Sequence, residues 1–167
     1  DVAIDTRLYD GVTHAVDALL PADEPTTDEL PLIAHLFEPG ANDNASGAGL
    51  AIEVLRTIRT LQQEGVVRLR RNIRALFAYE GRGTMAWAHR HPEVFRGMLA
   101  GLNIDEIGVD PVIGRSQTHL FLPPFSNPSF VGELLVHLTE ELVGNRYRWK
   151  AVADRADIIL DTRLSDP

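Results

Sequence analysis

The sequence contains no cysteine. Disulfides and thiolate metal ligands are thereby excluded, and any metal must sit on His, Asp or Glu. Long apolar runs are also missing. No stretch approaches the roughly 20 residues that a membrane-spanning helix needs. Positive charge is in deficit, with 16 Lys and Arg against 24 Asp and Glu, a formal charge of −8. Such a surface repels phosphate backbones and argues against nucleic acid as a partner. Arg68, Arg70, Arg71 and Arg74 do cluster, but no aromatic residues alternate with them to form a stacking platform. They read as a solvated loop leading into a strand. No Gly-x-Ser-x-Gly elbow is present, so nucleophilic serine or cysteine hydrolysis lacks its motifs. The run Ser46-Gly47-Ala48-Gly49 lacks the third glycine of a dinucleotide loop and does not directly follow a strand. The opening Asp1-Val2-Ala3-Ile4-Asp5 has no basic n-region. The expectation is a soluble chain without a membrane partner, cytoplasmic or secreted.

What is present is the composition of an ordinary globular domain: 167 residues, 44% hydrophobic and 24% charged. One domain over residues 1–167 is expected, long enough to bury a substantial core. Residues 20–31 are rich in Pro, Asp, Glu and Thr and read as a surface loop. Leu32-Ile33-Ala34 then looks like a buried strand that stops at His35. Residues 39–44 are loop chemistry, and Asn44 or Ser46 can cap the helix that follows. Ala51, Val54, Leu55, Ile58 and Leu61 form its apolar face, and Gly65 ends the pattern. A central strand over 73–78 ends at Tyr79-Glu80. A helix over 84–91 is stopped by Pro92. Residues 99–104 make another strand, ending at Asp105-Glu106. Strands over 118–122 and 156–160 flank a helix over 130–143, whose inner face carries Val131, Leu134, Leu135, Leu138 and Leu142. This alternation predicts an α/β fold with a mostly parallel sheet covered on both faces. In such sheets ligands lie at the carboxyl ends of the strands, and three predicted strands end at His35, Glu80 and Asp105.

Each of these residues has a plain structural explanation when taken alone. His35 can be a strand-end histidine bonded to a carbonyl, Asp43 an Asx turn or helix cap, and Glu80 and Asp105 solvated strand ends. Taken together, one histidine and three carboxylates at one sheet edge suit a metal that takes imidazole nitrogen and carboxylate oxygen. The other histidines carry less. His89, His91 and His137 read as surface residues, His14 has no motif, and His119 reads as structural, on a strand from which it could reach the site.

The segment Ala34-His35-Leu36-Phe37-Glu38-Pro39-Gly40-Ala41-Asn42-Asp43-Asn44-Ala45-Ser46-Gly47 resembles the zinc aminopeptidase family M28. It is most similar to a bacterial aminopeptidase-like branch with a His-Leu-x-x-Pro motif followed by Asn-Asp-Asn-x-Ser-Gly. Tyr79-Glu80-Gly81-Arg82-Gly83-Thr84 is similar to that branch's Pro-Glu-Thr-Ile-Gly-Thr turn, and Asn103-Ile104-Asp105-Glu106-Ile107-Gly108 to the family's Asp-Met-x-Gly strand end. The resemblance runs from about Ile4 to the end of the chain. It implies a three-layer α/β/α fold of the zinc-exopeptidase type and one or two zinc ions. His35 would bind one metal, Asp43 would bridge two, and Asp105 would complete the first. Glu80 would be a ligand of the second metal or the general base. The implied activity is cleavage of an N-terminal peptide or amide bond, with a peptide or aminoacyl substrate.

Three positions depart from the family pattern. Glu38 replaces the branch's second motif histidine, Tyr79 replaces the first of the paired glutamates, and the family's last histidine ligand has no counterpart before Pro167. Glu38 and Glu106 are therefore candidate auxiliary residues, and a C-terminally incomplete domain is expected. Such a domain would pair with another copy or with the missing segment. The alternative is a catalytically degenerate relative kept as a binding or assembly module.

Overall fold

The computed structural model describes residues 2–110, 113–144, 146–152 and 155–160. Its central sheet is four-stranded, in the order β1-β3-β2-β4. The strands are β1 (Val16–Leu20), β2 (Glu29–Leu36), β3 (Asn72–Tyr79) and β4 (Leu102–Asn103). β2 runs parallel to both β3 and β4, whereas β1 lies antiparallel on β3. The fold is α/β with a mixed sheet, as the alternation of elements predicts.

Strand periodicity sorts the side chains onto two faces. On one face Leu32, Ala34 and Leu36 sit beside Ala75 and Phe77, in register across β2 and β3. Helix α1 (Ala45–Gln63) lies there, burying Ala48 and Ala51 against the sheet with Leu55 and Ile104 alongside. Alanines at the contact let helix and sheet approach closely. The opposite face carries Glu29, Pro31, Ile33 and His35 next to Arg74, Leu76 and Ala78. Helix α2 (Arg82–Arg90) covers part of it through Trp87. Helix α3 (Pro92–Gly97), with Pro92 in its first turn, follows directly.

Arg74 departs from its expected solvated place at the strand entry. It is buried in mid-strand, with its guanidinium gripping both oxygens of Glu29 at 2.5 and 2.9 Å and also bonding Asp17. Trp87 Nε1 donates to the other Asp17 oxygen at 3.1 Å, and the guanidinium lies 5.4 Å from the centre of the Trp87 ring. The Glu29 and Asp17 carboxylates hold the Arg74 pKa well above its ordinary value against the opposing effect of burial. A buried cation of this kind persists only where charge partners surround it.

A second sheet is three-stranded and antiparallel, in the order β5-β7-β6. It comprises β5 (Thr118–Phe121), β6 (Tyr147–Val152) and β7 (Arg155–Leu160), with α4 (Phe130–Val143) between β5 and β6. The parallel arrangement expected from the sequence therefore holds only for β3-β2-β4. Neither β1 nor β6 is anticipated by the hydrophobic pattern, because Val16-Asp17-Ala18 and Arg148-Trp149-Lys150 mix charged and apolar residues. Three further expectations are corrected. The 20–31 loop is shorter, since Leu20 closes β1 and β2 already begins at Glu29. The strand expected over 99–104 pairs regularly only at Leu102–Asn103, because it lies at the sheet edge with Gly101 tight against Pro31. In α4, Leu134, Leu138 and Leu142 are exposed, not inward. Residues 161–167, with the segment that prompted the expectation of a truncated domain, lie outside the described residues.

Candidate metal centre

Three chain segments meet at the carboxyl end of β2. His35 is the penultimate residue of that strand and is buried. Asp43 comes from the loop between β2 and α1, and Asp105 lies just past β4. His35 Nε2 is 3.0 Å from Asp43 Oδ1 and 3.2 Å from Asp105 Oδ1. One ligand atom from each residue falls within 4.8 Å of the other two, a set that could hold a metal ion.

Local chemistry explains how the loop delivers Asp43. Asn44 caps α1, its Oδ1 accepting from Gly47 N at 3.0 Å. The same amide donates to Ile104 O at 2.9 Å, so one buried side chain ties the helix start to the residue before Asp105. Glycine is required at 47 because a Cβ there would collide with Asn44 Oδ1 and Ile104 O, and at 40 because it would collide with the Asp43 carbonyl. The Asp43–Asn44 peptide is cis. Ser46 Oγ donates to Asn42 O at 2.6 Å and accepts from Ile107 N at 3.1 Å, while Asn42 Oδ1 accepts from Gly108 N at 2.8 Å. The Asn-Asp-Asn-Ala-Ser-Gly run thus works as a clamp on the end of β4. Asn42 is the member that motif reading alone leaves without a role.

The donor set fits a cation. Two carboxylate oxygens converge on a single imidazole nitrogen, the ligand types that a zinc ion takes. One imidazole and two carboxylates is a set of three protein ligands, which in catalytic zinc sites leaves the fourth position open. His35 Nδ1 is buried without a hydrogen-bond partner. A metal-ligating histidine ordinarily donates from its other nitrogen to a carboxylate or carbonyl, and that support is missing among the described residues.

Glu80, Glu38 and Glu106 are not within the trio. Glu80 follows β3, whose Tyr79 is in register with Leu36. Glu38 hydrogen-bonds Asp43, and this bond is the main cause that raises the Glu38 pKa above the usual carboxylate range. Desolvation and the charges of Asp43 and Glu80 act in the same direction, while His35 opposes them. Glu106 has φ +49° and meets Asn42 Nδ2 at 3.5 Å. The other histidines separate clearly. His137 is exposed beside Glu141 at 3.3 Å, His89 and His14 are exposed, and His91 stacks on Trp87 at 4.8 Å. Beside the trio opens a cleft of about 510 Å³, lined among others by Asp105, Glu106, His119 and Phe121.

No protein-family model and no curated protein sequence matches the chain. A solved structure from Clostridium acetobutylicum, described as a candidate peptidase, shows a partial likeness. It has 21% identity and a TM-score of 0.46, over 53% of this chain and 19% of that one. The chain thus spans about one fifth of the length of that protein. Among the described residues no helix is long and apolar enough to cross a membrane.

Proposed function

We propose that the chain carries the metal centre of a zinc-dependent aminopeptidase-like hydrolase, which cleaves an N-terminal peptide or amide bond with an activated water. The observation that carries this reading is the convergence of His35, Asp43 and Asp105 on one point. The M28-like motif order His35, Asp43, Glu80, Asp105 supports it. His35 through Nε2, Asp43 and Asp105 would hold the first zinc. A zinc bound there supplies Lewis acidity, lowering the pKa of water toward roughly 7 and polarising a carbonyl.

The protein's own groups supply the remaining functions. Glu80 is the proposed general base, taking a proton from the attacking water and returning it to the leaving amine. In this reading it sits across the β3–β2 register from the end of the histidine-bearing strand. Glu38, with its raised pKa, acts beside it as a proton-holding partner of Asp43. Asp105 and Glu106 give the cleft an acidic side, suited to a substrate's free ammonium group. Asn42, Asn44 and Ser46 position the acidic residues and take no proton.

Elemental analysis and zinc titration of the chain, with His35→Ala and Asp43→Ala alongside, test this reading. About one zinc per chain is expected from a three-ligand set, lost in both variants. A second equivalent would extend the site to the two-metal arrangement. Hydrolysis of leucine p-nitroanilide should follow the zinc content. Failure to take up supplied zinc would sink the enzyme reading. It would favour a binding module, a reading that the Glu38 and Tyr79 departures also support.

A further inference from the structure

Part of the cleft beside the metal trio is lined by the second sheet, which brings to it an imidazole without a hydrogen-bond partner among the described residues. His119 and Phe121 are two residues apart on β5 and so point to the same side of the strand. Both line the cleft, together with Asp105 and Glu106. His119 is half-buried. Its one side-chain partner among the described residues is the Phe121 ring, at 5.9 Å between centroids and tilted by 48°. Neither ring nitrogen has a hydrogen-bond partner among these residues.

The strand beneath is firmly held. His119 is in register with buried Ile159, and Phe121 with buried Asp157. The Arg155 guanidinium lies 4.8 Å from the centre of the Phe121 ring, and Arg148 donates to Gln117 at 2.8 Å. The imidazole is therefore presented by a paired strand, not by a loose loop.

The cleft's lining is chemically mixed. It combines the Asp105 and Glu106 carboxylates with an imidazole able to donate a hydrogen bond, and Ile107, Val109 and Phe121 are apolar lining. Its volume of about 510 Å³ lies within the range typical of small-molecule sites. A complementary ligand is a small molecule with an amine at one end, an oxygen acceptor a few bonds away and an apolar side chain.

We propose that His119 is a substrate-binding residue, donating a hydrogen bond to the carbonyl oxygen of an aminoacyl group whose amine rests on the Asp105–Glu106 side. The proposal rests on the hydrolase reading for the identity of its ligand. It assigns to the second sheet a part in recognition that the metal trio does not require.

Leucinamide is the probe. In the zinc-supplied chain its addition should shift the His119 ring NMR signals saturably, those signals being assigned by their absence in His119→Gln. His119→Ala should weaken leucinamide binding by about tenfold, the effect of one hydrogen bond, with zinc content unchanged. His119→Gln, whose amide still donates, should recover part of that loss. With leucine p-nitroanilide, KM should rise more than kcat falls. Unmoved His119 signals, or equal leucinamide affinity in His119→Ala, overturn the proposal. So does loss of zinc in that variant, which would make His119 a ligand. A wild-type chain that binds leucinamide through His119 yet hydrolyses nothing would overturn the hydrolase reading and leave this assignment standing.

Discussion

The two sheets of this molecule are built for different work. The β1-β3-β2-β4 sheet has helices on both faces, and six consecutive residues of β3, Ile73 to Ala78, are buried. The β5-β7-β6 sheet buries Asp157, Ile158 and Ile159 on its central strand but leaves Phe121 and Trp149 at least half exposed. All three members of the metal trio come from the first sheet and its connections. The second sheet contributes a cleft wall. Residues that must hold a fixed mutual geometry sit where packing and hydrogen bonds over-determine them. The second sheet is packed less completely, although its buried central strand still holds β5 in register.

The sharpest way to break this contrast is to attack the ion cluster that underlies the first sheet. Arg74→Met should destabilise the chain by about 3–5 kcal/mol, because Glu29 is left buried without its cation. Urea denaturation reads the loss directly. An effect under about 1 kcal/mol, the worth of an exposed pair, would mean that the cluster is open to water.

Next come two deletions of comparable size, one in each sheet. Leu76→Ala and Ile158→Ala each remove a fully buried side chain and should cost about 2–5 kcal/mol. Their consequences should differ. Hydrogen exchange should show Ile158→Ala loosening β5, β6 and β7 while zinc uptake persists, whereas Leu76→Ala should weaken both protection of β3 and zinc uptake. Equal loss of protection everywhere in both variants would show that the sheets open as one unit.

A smaller effect is expected at the clamp. Asn44→Ala removes a helix cap, worth about 1 kcal/mol, together with the bond to Ile104 O. Because Asn44 positions its neighbour Asp43 and, through Ile104, Asp105, zinc affinity should also fall by about 10–100-fold, the range seen for groups that orient metal ligands. Calorimetric zinc titration separates this from the stability loss.

The mildest prediction concerns pH. Bonding to Asp43 raises the Glu38 pKa in the folded chain, so the native state holds this proton more tightly than the unfolded state does. The stability so contributed is present at low pH and is lost as pH rises through the raised folded value. Glu38→Gln should flatten that decline in metal-free protein as pH rises above the ordinary glutamate range, about 4.3, as followed by urea midpoints. An unchanged pH profile would place Glu38 away from Asp43.

Much of the candidate site was legible in the chain, because its residues sit at strand ends or in one dense motif. His35 closes an apolar run, Asp105 follows another, and Asn42-Asp43-Asn44 precedes a helix with a strong apolar period. The helix over 130–143 was also readable to the residue. Other features were not. Arg74 sits in a basic cluster that composition assigns to solvent, and only Glu29 and Asp17, 45 and 57 residues away in sequence, make its burial tolerable. His119 has no motif around it, and its place on the cleft depends on how the second sheet sits beside the end of β4.

The sequence by itself determined the α/β class, the apolar face of α1, the cap at Asn44 and the identity of the metal-capable side chains, because propensity, period and capping act over a few residues. Tertiary structure alone decided which of those side chains converge. It brought His35, Asp43 and Asp105 within 4.8 Å and kept Glu80 and Glu38 outside that set. It also split the strands into two sheets of different character. These outcomes depend on strand order and register between distant segments, which are fixed by the packing of the whole chain and not by local sequence.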